Sequence, residues 1–204
     1  MGKYTAAEFI TLIEERFASN KITSAERKTL LRDMSSLLEN IEGNNIVAIS
    51  SISSKLKFHT TVYLREYFQS GKIEHEEWYL NSKVHRGGGK PAIIQYYENG
   101  QITYEERWVN NKLHQDGDKP AYIYYDENGQ VKAEEWLLNG RCHRDGDKPA
   151  QVYYYENGQL ASEEWFLNGK RHRDGGKPAW VTYNENGQVK VEDWWVHGEQ
   201  QSKR

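Results

Sequence analysis

Histidine and aspartate alternate at His143-Arg-Asp145-Gly-Asp147, and His114, Asp116 and Asp118 repeat the pattern. An imidazole and two carboxylates at that spacing could be offered to a divalent cation. Two other copies of the segment lack one or both acids. Gly87 and Gly89 follow His85, and Gly176 stands where Asp147 does. A ligand set lost between copies points to a ladder of structural histidines, so neither a metal nor any other cofactor is expected. The acidic pairs Glu105-Glu106, Glu134-Glu135, Glu163-Glu164 and Glu192-Asp193 could supply acid and base. Adjacent strand residues point to opposite faces, however, so no pair forms a carboxylate dyad. Lys or Arg partners across strands are expected for them instead. The chain carries no phosphate loop, nucleophile elbow or Cys/His cluster, and it is expected to be no enzyme.

Two further groups of side chains suit binding. Arg86, Lys90, Lys119, Arg144, Lys148, Arg173 and Lys177 fall in equivalent loops and could line one edge as an anion-binding stripe. Asp116, Asp118, Asp145, Asp147 and Asp174 dilute that charge. Tyr97, Trp108, Tyr122, Tyr124, Tyr153, Tyr155, Phe166, Trp180 and Trp195 have the strand parity opposite to the residues that stay constant. Varied aromatics on an open sheet face mark an interaction surface, or else a seat for the N-terminal segment.

What must position these groups is a repeat. His85, His114, His143 and His172 are 29 residues apart, as are Gly100, Gly129, Gly158 and Gly187, and all four prolines. Each unit reads as a β-hairpin: a run such as 150–155, a turn at Asn157-Gly158, then a second run, Gln159 to Leu167, that ends at Asn168-Gly169. Ala92, Ile94, Tyr96 and their equivalents hardly change, and Trp78, Trp136, Trp165 and Trp194 form a column. These positions are the expected stacking core. Arg107 interrupts the column, and Trp108 is expected to take its place through a local bulge.

The chain has 204 residues and a formal net charge of −3, so no specific nucleic-acid partner is expected. One cysteine, Cys142, fits a reducing compartment. No apolar run is long enough to span a bilayer and no signal-peptide core is seen, so a cytoplasmic location is expected. Capping patterns at Thr5/Glu8 and Thr23/Glu26 predict helices over 5–18 and 23–39, an antiparallel pair that either caps the array or makes a homodimer contact. Residues 42–57 read as a connector. The expected domains are therefore a helical cap and connector, 1–55, and a β-array, 56–204. The array holds a degenerate repeat at 62–84 and fuller ones at 85–113, 114–142, 143–171 and 172–200.

The recurring elements YYENGQ and EEW-x-LNGK resemble the MORN repeat family, in particular its bacterial and viral variants, some of them described as antitoxin-like. The resemblance covers about 62–200. It implies a twisted, single-layer antiparallel sheet of hairpins, used for scaffolding, partner binding or dimerisation. The fold class expected is mainly β with an N-terminal α-helical hairpin, its antiparallel sheet open or rolled. The expected function is non-catalytic protein binding, with a toxin, a defence factor or a complex subunit as partner. Two alternatives remain: an adaptor binding anionic lipid or phosphate along the basic loop edge at a membrane surface, and an aromatic carbohydrate-binding repeat.

Overall fold

The computed structural model describes residues 11, 14, 15, 18, 19, 23–25, 27, 28, 31, 32, 61–81 and 83–202. The predicted helices over 5–18 and 23–39, their homodimer contact and the connector over 42–57 therefore lie largely outside the described residues. No complete helix stands among those that are described, although Arg27 makes a two-pronged ion pair with Glu14 at 2.7 and 2.8 Å. None of the described helical residues forms a helix long and apolar enough to cross a membrane.

From residue 61 onward the chain is a β-meander. Strands β1 (Thr61–Tyr67) and β2 (Ile73–Leu80) form the first hairpin, and β3 (Lys83–Val84) folds back antiparallel on the end of β2. Three units follow, each a long hairpin and then a short one. The first holds β4 (Ile93–Tyr96) with β5 (Ile102–Glu106), then β6 (Trp108–Val109) with β7 (Lys112–Leu113). The second holds β8 (Tyr122–Tyr125) with β9 (Val131–Glu135), then β10 (Leu137–Leu138) with β11 (Arg141–Cys142). The third holds β12 (Gln151–Tyr154) with β13 (Leu160–Glu164), then β14 (Phe166–Leu167) with β15 (Lys170–Arg171). Last come β16 (Trp180–Tyr183), β17 (Val189–Val196) and β18 (Glu199–Gln201). The long hairpins pair edge to edge in chain order, and the two ends of the sheet do not meet, so the sheet is open.

Local chemistry explains each hairpin. Tyr155 N–H donates to the Gln159 carbonyl and Gly158 N–H to the Tyr155 carbonyl. Gly158 has φ +81°, a left-handed conformation that a glycine adopts without steric cost. Of the Asn157-Gly158 pair, only the glycine has a positive φ. Asn157 instead accepts from Gln159 N–H through its side chain, at 2.9 Å. This is the three-residue hairpin loop closed by a left-handed glycine. Beside it the register slips, Tyr153 facing Ser162 and Tyr154 facing Leu160, so Ala161 bulges. Every long hairpin carries the same slip, and such bulges increase the twist.

The second run of the unit does not continue unbroken to Leu167. It breaks at Trp165, whose N–H donates to the Ala179 carbonyl and whose own carbonyl accepts from His172 N–H. Asn168 (φ +53°) and Gly169 (φ +83°) then turn the chain back as a second, two-residue hairpin. Both residues have positive φ, as a type I′ turn requires.

One face of the sheet is the constant one. Ala92, Ala121, Ala150 and Ala179 are fully buried, and Ile94, Val152, Val181, Trp136 and Trp165 nearly so. The register also sets Glu105, Glu134 and Glu163 in the same row as these aliphatics. This row of the stacking core is thus alternately aliphatic and acidic. Tyrosine hydroxyls of the following unit satisfy two of these acids, Tyr154 donating to Glu134 at 3.0 Å and Tyr183 to Glu163 at 2.7 Å, while Glu105 accepts from Arg107. Glu76, the most buried acid among the described residues, accepts from Tyr63, Tyr96 and Arg65. Burial alone would raise its pKa, but those three hydrogen bonds outweigh burial and hold it below the ordinary carboxylate value.

Candidate functional site

The opposite face gathers tyrosines. The register aligns Glu106, Tyr122, Glu135, Gln151, Glu164 and Trp180 in one row, and Tyr104, Tyr124, Ala133, Tyr153, Ser162 and Thr182 in the next. Tyr124 is 36% exposed, the one aromatic among the exposed large apolar side chains described. Its hydroxyl lies 3.3 Å from that of Tyr97. Tyr97 and Tyr124 form a wall of an open groove of about 610 Å³ completed by Asp126, Gln130, Lys132 and Glu156. Tyr122 is half-buried, 6.1 Å from Tyr104 between ring centroids. Burial, and then the nearby Glu106 and Glu135, push its hydroxyl up to about 12, so it presents an O–H donor at neutral pH.

The other aromatics have internal work. Tyr97 and Tyr155 each donate to a backbone carbonyl 28 residues on, Tyr125 at 2.9 Å and Tyr183 at 2.6 Å, so both latch neighbouring units. Tyr153 donates to Glu135 at 3.2 Å. Phe166, Trp180 and Trp195 surround the Arg171 guanidinium at 5.3–5.8 Å, and Glu164 accepts from it. Trp108 donates its indole N–H to Glu106 at 2.8 Å, on the side away from the Trp column. It does not replace the missing tryptophan. Arg107 fills that slot itself, because its Nε donates to the Gly89 carbonyl as the Trp136 and Trp165 indoles donate to those of Asp118 and Asp147. Tyr104 was not among the predicted site residues. Its parity with Trp108 along the second strand was the available signal.

The acidic pairs split as their parity requires. Glu134 accepts from Tyr154 on one face and Glu135 from Tyr153 on the other. Glu163 likewise accepts from a tyrosine, whereas Glu105 and Glu164 take arginine partners, Arg107 and Arg171. Each of His114, His143 and His172 accepts a backbone N–H at Nδ1, from Asn139, Asn168 and His197, at 3.1–3.2 Å. The Nε2 of each faces the aspartate two residues on. No group of three or more such side chains among the described residues could hold a metal ion.

On the loop edge, Arg144 and Lys148 converge on Asp118 of the preceding loop, at 2.7–3.0 Å. Arg173 and Lys177 do the same to Asp147. These two salt bridges hold the Asp147 carboxyl down at about 2, with Arg173 first and Lys177 next; Asp118 is likewise lowered, by Lys148 and then Arg144. Arg86, Lys90 and Lys119 pair with no carboxylate among the described residues. The Cys142 thiol is half-buried, and that burial, reinforced by Glu135 and Glu164, pushes it up to about 11.

The family model of the MORN repeat variant matches residues 93–110, 121–135 and 150–168. Each match falls on a long hairpin, and the first and last extend into the short one. No curated protein matches the chain. A solved structure, the crystal structure of TarM, is similar over 83% of this chain and 27% of that one, with 14% identity and a TM-score of 0.20. The chain thus spans about a quarter of the TarM length, and a likeness so low carries no argument.

Proposed function

We propose that this chain, whose hairpin units are MORN-type repeats, is a non-catalytic protein-binding array that docks its partner on the tyrosine face. The observation that carries this is Tyr124, an exposed aromatic at the centre of Tyr97, Tyr104, Tyr122 and Tyr153. Tyrosine supplies a large contact area and a hydroxyl donor at low entropic cost. MORN repeats are in general non-catalytic modules, and each acidic pair is divided between the two faces. Four of the seven loop-edge cations already hold Asp118 and Asp147, which favours the tyrosine face over an anion-binding edge. Neutralising a toxin or defence factor, or serving as a scaffold, is the role this reading suits, in a reducing cytoplasmic setting.

The test compares affinity capture from the native host by the parent chain and by the Tyr124→Ala/Tyr153→Ala variant. A protein retained by the parent and lost by a variant with an unchanged melting temperature supports the reading. Equal capture by both, or binding only to anionic vesicles or glycans, sinks it.

A further inference from the structure

The array shows twice what its loop cations are built to hold. Arg144 lies 3.6 Å from the centre of the Trp136 ring and donates Nη1 to the Pro149 carbonyl at 3.1 Å. Fixed in this way, its Nε and Nη2 join Lys148 Nζ on the Asp118 carboxylate. Arg173 repeats the arrangement, 3.7 Å over Trp165 and 3.2 Å from the Pro178 carbonyl, with Lys177 and Asp147. Arg86 is set identically. It lies 3.6 Å over Trp78, its Nη1 donates to the Pro91 carbonyl at 2.9 Å, and Lys90 follows four residues on as Lys148 and Lys177 do. Only the acid is missing among the described residues. In the 29-residue step the position that corresponds to Asp118 and Asp147 one unit earlier is Thr60, which has no carboxylate.

We infer that Arg86 and Lys90 form a ready-made fork for a carboxylate, and that it docks an aspartate or glutamate side chain of a protein partner. A guanidinium held by ring stacking and a carbonyl has little freedom left to lose on binding, and its planar donors match a carboxylate. Burial pulls the Arg86 pKa below its ordinary value, and the more distant Glu76, Tyr63 and Tyr96 offset this only in part. A partly buried cation lacking a contact anion among the described residues is in that condition. A second copy of this chain is the poorer occupant, because its last loop carries Gly176 at the clamped position. The inference rests on the protein-binding reading for its occupant, but it uses the loop edge and not the tyrosine face.

The probe is the peptide acetyl-Gln-Asp-Gly-Asp-Lys-amide, which copies residues 115–119, titrated into the full ¹⁵N-labelled chain. The Arg86 Nε–H and Trp78 indole signals should shift saturably. Arg86→Gln or Lys90→Gln should weaken the peptide at least about tenfold, the loss expected for a charge-assisted contact. The array already carries Gln115 at the Arg86 position, so glutamine is tolerated by the fold, and a melt of each variant checks this. Arg144→Gln and the Tyr124→Ala/Tyr153→Ala variant should leave the titration unchanged; the effect of the double tyrosine variant on partner capture, not on this peptide, tests the tyrosine face. Replacing the second aspartate of the peptide with asparagine should abolish the shifts. The inference is overturned if Arg86 does not respond at millimolar peptide. It is also overturned if the asparagine peptide, inorganic phosphate or phosphatidylserine vesicles shift the same signals equally, which would make this a general anion site.

Discussion

The junction between units 114–142 and 143–171 and the one before it close the same backbone with different side chains. In the later junction the Trp136 indole N–H serves the Asp118 carbonyl, Arg144 covers the indole and serves the Pro149 carbonyl, and the Asp118 carboxylate binds Arg144 and Lys148. In the earlier one the three positions hold Arg107, Gln115 and Gly89. Arg107 alone reaches both equivalent carbonyls, Gly89 at 3.3 Å and Pro120 at 3.1 Å, and Glu105 anchors it at 3.0 Å. The two carbonyl acceptors are what the fold keeps, since buried backbone groups must be paired. Once one guanidinium serves both, the stacking arginine and its counter-ion are both absent, so the three side chains behave as a set.

Four measurements can break or sharpen that contrast. Trp165→Ala removes a ring with 6% exposure together with the seat of Arg173, and a denaturant melt should show a loss of about 3–5 kcal/mol. A melt like that of the parent would remove the column from the core. Arg107→Trp alone should destabilise, by about 1–3 kcal/mol for a misfitted core side chain. Adding Gln115→Arg and Gly89→Asp should recover most of that loss, with a coupling of at least about 0.5 kcal/mol. Strict additivity would mean that the three positions are independent. The third measurement is of acid stability. The Asp147 carboxyl lies near 2 when folded and near 3.9 when unfolded, so its contribution is full above about pH 4 and lost as pH falls toward 2. Asp147→Asn should flatten the stability curve in that window, by no more than about 1 kcal/mol for so exposed an ion pair. An unchanged slope would show the clamp to be energetically idle. Smallest is Tyr124→Ala, expected within about 0.5 kcal/mol of the parent because its ring is exposed; a larger loss would place that ring in a packed contact.

The sequence exposed the period, the alanine, Ile/Val and tyrosine columns and both turn dipeptides, because these depend on residue type at fixed offsets. The bulge at Ala161 stayed hidden, since no residue at 132, 161 and 190, namely Lys, Ala and Lys, announces it. The short hairpin after Trp165 was concealed because Phe166-Leu167 continues the strand-like pattern through the break. Glu134 in an aliphatic row contradicts simple patterning, and only the reach of Tyr154 across 20 residues makes it acceptable. Of the candidate site, parity found Tyr122, Tyr124 and Tyr153. Pairing of Asp118 with Arg144, 26 residues apart, was beyond composition, which showed only that the charges offset one another.

The edge-to-edge meander makes this molecule a ruler. Equivalent atoms in successive long hairpins lie two strand spacings apart, about 9.6 Å, and hairpin-to-hairpin bonding in the sheet connects only adjacent hairpins. Gaining or losing 29 residues therefore changes the array in fixed increments, each leaving the remaining junctions intact. A ligand that grips two hairpins must carry its own contacts at a multiple of that interval, so the array can choose by spacing even between ligands of identical chemistry.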